Sequence, residues 1–252
     1  QTHVPVNKPL VQVEIDPLKI GKIPFQVALW GNCSLVLPKL IDGVKMKKND
    51  AVLPEIAEMT KKWHAQLQKE ADPTAVPLRP PFIMRVLSDV LPDDAIISID
   101  VGENGWWFGR NFRMKHQRFV MSGYLGTMGF GFPGALAAKL AFPHNTVVCI
   151  TGDGGFSMAM ADFVTAVKYD LPMVVIVLNN KQLGMIQVEQ KIEGYPNFGT
   201  DLLNPDFARY AEICGGIGLN VSQPAELEKI VQQALAQQKP VLINVATDAK
   251  RF

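Results

Sequence analysis

At 252 residues and 48% hydrophobic composition, the chain can bury a large core, either as one big α/β domain or as one domain with a fragment of another. Its 25 basic and 24 acidic residues leave a formal net charge of +1. Because capture of nucleic acid depends on concentrated positive charge, this balance argues against a nucleic-acid partner.

Cysteine usage indicates a reducing compartment. Cys33, Cys149 and Cys214 are odd in number and far apart, with no CxxC spacing for zinc or redox chemistry. We therefore expect a cytoplasmic protein, and the glycines and proline within 124–142 argue against a membrane span there. Membrane contact elsewhere is not determined by the sequence. No signal peptide is visible at Gln1, and we expect further polypeptide upstream.

The first part of the chain has the pattern of an incomplete domain. An alternating apolar run from Leu10 to Ile15 predicts a strand that ends at Asp16-Pro17. A second apolar stretch, Val27 to Gly31, precedes helical spacing over 34–41. Residues 1–44 are therefore predicted to be the tail of an α/β domain.

Residues 45–78 are predicted to link this fragment to a complete domain at 79–252. The linker is charged and then proline-rich, with a polar amphipathic helix from Glu55 to Glu70. Beyond it, apolar strands alternate with helices, which predicts an α/β fold with a doubly wound, mostly parallel sheet. The predicted strands are 95–100, 146–151, 173–178 and 241–245, and the predicted helices are 81–90, a stretch ending at Leu140, 157–169 and 224–238.

One βαβ unit carries the strongest chemical signal. Its first strand runs into Gly152-Asp153-Gly154-Gly155, and its second strand ends at Asn179-Asn180. Both polar side chains therefore fall at the carboxyl edge of a parallel sheet, where such sheets bind ligands. The loop 100–104, which follows another strand, is predicted to line the same cleft, without assigned roles for its residues.

This edge suits an organic diphosphate held through a cation. The glycines let backbone amides approach phosphate closely, and the next helix offers its positive N-terminal end. The Asp153 carboxylate would repel a diphosphate unless a cation lay between them, and Mg²⁺ prefers carboxylate and amide oxygens such as those of Asp153 and Asn180. The alternative is that a lone GDG is only a turn after a strand.

The GDG to NN motif, with 27 residues from Asp153 to Asn180, resembles the signature of thiamine diphosphate enzymes. The resemblance implies a Mg²⁺ site made of Asp153, Asn180 and the Gln182 carbonyl. The stretch 126–131 is similar to the cofactor loop of the family. There the Gly126 carbonyl would accept from the 4′-amino group of the cofactor.

Met128 would bend the cofactor so that its internal base is positioned for proton abstraction, unless this side chain only packs a core. The resemblance gives this predicted cofactor-binding set: Gly126, Thr127, Met128, Gly152, Asp153, Gly154, Gly155, Asn180, Gln182, Gly184, Met185 and Ile186.

Within that family the chain looks most similar to pyruvate oxidases, through GDGGFSM at 152–158 and the segment 194–209. Glu189 stands where those oxidases carry a glutamate, and Ile186 would border the substrate, so Met128, Ile186 and Glu189 are the predicted catalytic residues. The alternative is that Glu189 is an ordinary solvated helix residue.

The resemblance implies oxidative decarboxylation of pyruvate, with electrons passed to FAD. FAD would lie mainly outside this chain, on a central domain of which residues 1–44 are the end. Asp16 could lie near that FAD or simply form a turn. The alternatives are an acetolactate synthase-type carboligase, a non-oxidative 2-oxo acid decarboxylase, or a non-catalytic module that keeps the fold.

The same resemblance implies a missing partner. In the family, a glutamate from the N-terminal domain of a neighbouring subunit activates the aminopyrimidine, and no segment here resembles that domain. We therefore expect the chain to work with an N-terminal portion in a homodimer or homotetramer.

Overall fold

The computed structural model describes residues 8–46 and 51–249 and divides into two units, with the boundary between Met59 and Thr60. Residues 1–7 of the predicted domain tail lie outside the described residues, and so does Gln1, on which the expectation of further upstream polypeptide was based.

The first unit contains a small parallel pair of strands. Strand β1 (Val11–Glu14) pairs with β2 (Val27–Trp30), and helix α1 (Cys33–Gly43) follows. Asp16 caps a short 3-10 turn, where its Oδ1 accepts a hydrogen bond from the Leu18 N–H at 3.0 Å. This contact supports the turn-forming alternative for Asp16.

Helix α2 (Val52–Glu70) matches the amphipathic helix predicted in the linker and begins three residues earlier. It has one buried side chain, that of Leu67, which is typical of a solvated helix face rather than of a core element.

A six-stranded, wholly parallel sheet forms the second unit, in the order β4-β3-β5-β6-β8-β7. Its strands are β3 (Ile96–Ile99), β4 (Arg118–Val120), β5 (Val147–Gly152), β6 (Val174–Asn179), β7 (Ile217–Val221) and β8 (Val241–Ala246). Its helices are α3 (Pro80–Val90), α4 (Glu103–Asn111), α5 (Gly131–Ala141), α6 (Asp153–Ala159), α7 (Phe163–Lys168), α8 (Gly184–Ile192), α9 (Phe207–Ile213) and α10 (Pro224–Leu235). The predicted α/β class with a parallel sheet is confirmed.

Alternate residues of β3, β5, β6 and β8 enter two cores, one on each face of the sheet. Helices α3, α4 and α10 cover one core, and helices α5, α6, α7 and α9 cover the other. Cys149 is fully buried in the second core. Burial, together with the nearby Asp100 charge, holds the pKa of its thiol well above the ordinary value, which makes this thiol inert.

The structure corrects the prediction of one helix over 157–169. The helix begins at Asp153, directly after β5, and a 3-10 turn at Met160–Asp162 separates α6 from α7. Its start escaped prediction because Gly154 and Gly155 are poor helix formers on intrinsic propensity, and tertiary contacts override that preference.

Five elements were not predicted: α4, β4, α8, α9 and β7. Strand β4 has three exposed residues at the sheet edge, so it lacks an apolar pattern. In the described part of the chain, no helix is both long enough and apolar enough to cross a membrane.

Candidate cofactor site

Two adjacent strand ends bring the predicted metal ligands to one cleft. Strands β5 and β6 pair in parallel with Gly152 opposite Leu178, so both chains leave the sheet at the same edge. Asp153 then begins α6, Asn180 follows β6, and both line the cleft.

The Asp153 carboxylate is buried, with 2% of the residue exposed. Its Oδ2 accepts hydrogen bonds from the Lys181 N–H at 2.8 Å and from the Asn204 side-chain amide at 2.7 Å. Desolvation by burial raises the pKa of this carboxyl above its usual range, against the opposing effect of the Asn204 hydrogen bond. Among the described residues no cationic side chain forms an ion pair with Asp153.

The turn after β6 directs one backbone N–H at Asp153 and holds the Asn180 side chain between two other partners. Lys181 has a left-handed backbone with φ of 59°, a conformation rare for a non-glycine residue, and this places its N–H on the carboxylate. The Asn180 side-chain oxygen accepts the Gln182 N–H at 3.1 Å, and its amide nitrogen donates to Glu103 Oε2 at 3.0 Å.

A second loop fixes this turn from outside. Gln182 forms an isolated antiparallel bridge with Asp201. The Leu183 N–H donates to the Thr200 carbonyl at 2.8 Å, and the Leu202 N–H donates to the Lys181 carbonyl at 2.9 Å. The backbone that carries the predicted third metal ligand is therefore held on both sides.

Asp100 connects the end of β3 to the glycine-rich loop that precedes α5. The residue is fully buried. Its Oδ1 accepts from the Gly129 N–H at 2.8 Å and the Val101 N–H at 2.7 Å, and its Oδ2 accepts from the Thr151 hydroxyl at 2.9 Å. The Asp100 carboxylate thus connects the backbone next to Met128 with the ends of strands β3 and β5.

Most of the predicted catalytic and cofactor residues meet in this cleft, and three do not. Gly126, with φ of 62°, and Thr127 lie in the preceding loop, outside the cleft lining, and Glu189 is exposed on α8. The residues that line the cleft are Met128, Gly152, Asp153, Gly154, Gly155, Asn180, Gln182, Gly184, Met185 and Ile186. The roles assigned to all of these residues stay predictions.

The donor set fits a hard divalent cation. A buried carboxylate with a raised pKa and no cationic partner is stabilised by a positive charge. Within the described residues no cluster of three or more His, Cys, Asp or Glu exists, so a metal here depends on Asp153, amide and carbonyl oxygens, phosphate and water. Mg²⁺ accepts such a mixed oxygen shell.

Close packing explains the glycines of the motif. A Cβ on Gly154 would lie 2.8 Å from Leu183 Cδ2, and one on Gly155 would lie 2.7 Å from Asp100 Oδ2. Both residues belong to the first turn of α6, where backbone N–H groups have no partner within the helix and can bind an anion.

Three contributors to the site were not identified as such from the sequence: Asp100, Glu103 and Asn204. The structure confirms that the loop 100–104 reaches the cleft, since Val101, Gly102, Glu103 and Asn104 line it. Its position after a strand end was the available signal. Asn204 lies in the segment that resembled pyruvate oxidases, but its contact with Asp153 depends on tertiary folding.

The fold and the site together define an α/β protein of the class that has its ligand cleft at the carboxyl edge of a parallel sheet. Residues 100–245 match the family described as "Thiamine pyrophosphate enzyme, C-terminal TPP binding domain", and the chain belongs to this family.

Curated relatives support the same assignment. The chain is 38% identical over 245 residues to YdaP of Bacillus subtilis, and the match covers 96% of the chain and 43% of YdaP. YdaP is named as a candidate thiamine pyrophosphate-containing protein. It is 32% identical over 252 residues to the large subunit of acetolactate synthase isozyme 3 of Escherichia coli, with 96% of the chain and 44% of that subunit covered. The acetolactate synthase large subunit of Haemophilus influenzae is 32% identical over 249 residues, with the same coverage. The chain thus spans less than half the length of these relatives.

Proposed function

We propose that this chain supplies the diphosphate- and Mg²⁺-binding part of an enzyme that decarboxylates a 2-oxo acid such as pyruvate and joins the remaining fragment to a second 2-oxo acid. The observation that carries the proposal is the meeting of Asp153 and Asn180 in one cleft with Met128. Bound thiamine diphosphate would supply the electron sink for loss of CO₂.

In this scheme the residues of the chain bind Mg²⁺ and the diphosphate and orient the cofactor. Asp153, the Asn180 side-chain oxygen and the Gln182 carbonyl would hold Mg²⁺ against the diphosphate, and the N–H groups of Gly154 and Gly155 would bind phosphate oxygens. Met128 would press on the cofactor and favour its reactive conformation.

Carboligation is preferred to oxidation because of the relatives. The sequence favoured a flavin-linked pyruvate oxidase, but two of the relatives named above are acetolactate synthases. Neither the fold nor the comparisons support FAD. One observation keeps oxidation as the second candidate: Glu189 lies on α8, the helix that brings Met185 and Ile186 to the cleft.

The proposed active site is completed by polypeptide other than this chain. An N-terminal portion would contribute the glutamate that activates the aminopyrimidine, within a homodimer or homotetramer. A cytoplasmic location belongs to the same proposal and rests on the unpaired cysteines.

Product analysis tests the function. The holoenzyme, assembled with its N-terminal portion, is incubated with pyruvate, Mg²⁺ and thiamine diphosphate, and the products are identified by NMR. We expect a carboligation product such as acetolactate. Acetate or acetyl phosphate, formed while a bound flavin loses its absorbance under anaerobic conditions, would contradict carboligation and support oxidation. Acetaldehyde as the sole product would support the plain decarboxylase.

A further inference from the structure

Glu103 lies beside a predicted metal ligand, although a second carboxylate near a diphosphate site is electrostatically unfavourable. It is the first residue of α4 and lines the same cleft as Asp153. Its Oε2 accepts a hydrogen bond from the Asn180 amide nitrogen at 3.0 Å.

The packing around Glu103 holds the carboxylate in place. Gly184, the first residue of α8, lies against the carboxyl group, and a Cβ at this position would overlap Glu103 Oε2. The amino end of α8 favours a negative charge, as does the amino end of α4 on which Glu103 itself stands. The absence of a side chain at Gly184 therefore admits the carboxylate to the cleft.

The two ends of the Asn180 amide have different partners. Glu103 Oε2 is the acceptor of the hydrogen bond between the two side chains, so the group of Asn180 that faces Glu103 is its NH₂. The oxygen then lies on the other side, where it accepts the Gln182 N–H at 3.1 Å and keeps a second lone pair. Reversal of the amide would set its oxygen against the carboxylate and its NH₂ against an N–H donor.

We infer that Glu103 is a positioning residue that fixes the orientation of the Asn180 amide, so that the amide oxygen and not the nitrogen is presented to the metal. The inference rests on the proposed function and deepens it. Without Glu103, both amide orientations become accessible, and the one with nitrogen toward the cation cannot ligate.

The test measures metal affinity rather than turnover. Mg²⁺ is titrated into the assembled protein at a fixed thiamine diphosphate concentration, and binding is followed by calorimetry and by tryptophan fluorescence, to which Trp107 in the cleft contributes. Glu103→Ala is expected to weaken apparent Mg²⁺ affinity by about 10- to 100-fold, the usual effect of removing a group that orients a ligand. Glu103→Gln keeps an acceptor oxygen and should lose about fivefold or less.

A matched control separates this effect from loss of charge in general. Glu212→Ala removes an exposed glutamate on α9 and should leave Mg²⁺ affinity unchanged. Circular dichroism and the Tm of each variant establish that the fold is retained.

A double-mutant cycle separates positioning from structural support. In an Asn180→Asp background the ligand is a carboxylate with two equivalent oxygens, so there is no amide to orient. Glu103→Ala should then cause no further loss of metal affinity, and relief of like-charge repulsion should improve it.

Three results would overturn the inference: unchanged or tighter Mg²⁺ binding in Glu103→Ala, equal losses in the alanine and glutamine variants, or the same loss in both Asn180 backgrounds. If the wild-type protein shows no Mg²⁺-dependent thiamine diphosphate binding, the proposed function itself fails. If the wild type binds and the variants behave as the wild type, only the role of Glu103 fails.

Discussion

The side-chain amide of Asn204 donates a hydrogen bond to Oδ2 of Asp153 at 2.7 Å, although 51 residues separate the two. The same nitrogen lies 2.9 Å from the Asn179 side-chain oxygen, at the end of the neighbouring strand. The loop between α8 and α9 therefore connects both strand ends that form the proposed metal site.

Asn204→Ala should weaken Mg²⁺-dependent thiamine diphosphate binding by about tenfold, because Asp153 loses a partner that orients its carboxylate. Calorimetry of the assembled protein measures this loss. Gln233→Ala, which removes an exposed side-chain amide on α10, is the control and should bind as the wild type. Equal affinity in both variants would show that Asn204 does not support the site.

Asp153→Asn should stabilise the cofactor-free protein near neutral pH, by about 0.5–2 kcal/mol in free energy of unfolding. An amide oxygen in the place of Oδ2 can still accept from Lys181 and Asn204, while the buried charge is removed. Thiamine diphosphate binding should be lost in the same variant.

The raised pKa of Asp153 fixes the direction in which the stability of the cofactor-free protein changes with pH. Burial raises the folded-state pKa of Asp153 above its unfolded value, so the folded protein binds the proton more tightly. The cofactor-free wild type should therefore lose stability as pH rises from the ordinary aspartate pKa through the raised one. Denaturant unfolding across that range should show no such loss in Asp153→Asn. The exposed control Asp93→Asn should follow the wild type, and a matching pH dependence in Asp153→Asn would contradict the assignment.

Asp100 should tolerate asparagine far better than alanine. Asparagine can keep an acceptor for the Gly129 and Val101 N–H groups and turn its NH₂ to the Thr151 hydroxyl. Alanine leaves these buried groups without partners, at about 1–3 kcal/mol for each unsatisfied group. Chemical denaturation of both variants measures the difference, and similar losses in both would mean that the hydrogen bonds of Asp100 contribute little.

Two glycine-to-alanine substitutions should have opposite effects. A Cβ at Gly155 would lie 2.7 Å from Asp100 Oδ2 and 3.1 Å from Thr151 Oγ1, so Gly155→Ala should lower stability by about 1–3 kcal/mol. Gly109 is exposed within α4 and has open space around it, so Gly109→Ala should raise stability by about 0.5–1 kcal/mol. Thermal unfolding of the pair tests whether close packing, rather than helix propensity, decides each position.

The sequence predicted the centre of the fold because buried parallel strands have continuous apolar runs. Strands β5 and β6 stand out for this reason, and Asp153 and Asn180 could be placed at their ends. The short edge strand β4 and helix α8, which has no buried residue, lack such a pattern and were not found.

The contacts among the site residues could not be read from the sequence. Asp100 and Thr151, and likewise Asp153 and Asn204, are each separated by 51 residues. Their hydrogen bonds depend on strand order and loop path, which local patterns do not specify. The sequence predicted that the loop containing Glu103 lines the cleft but assigned the residue no role, and the inferred role rests on its contact with Asn180.

Thiamine diphosphate binding to wild-type and Asp153→Ala protein, each with Mg²⁺ and with EDTA, tests the central claim most directly. We expect the wild-type protein to bind only when Mg²⁺ is present, and Asp153→Ala to lose at least about 100-fold in affinity. Tight binding to the wild-type protein in EDTA, or unchanged binding to a folded Asp153→Ala variant, would contradict a metal-bridged diphosphate site.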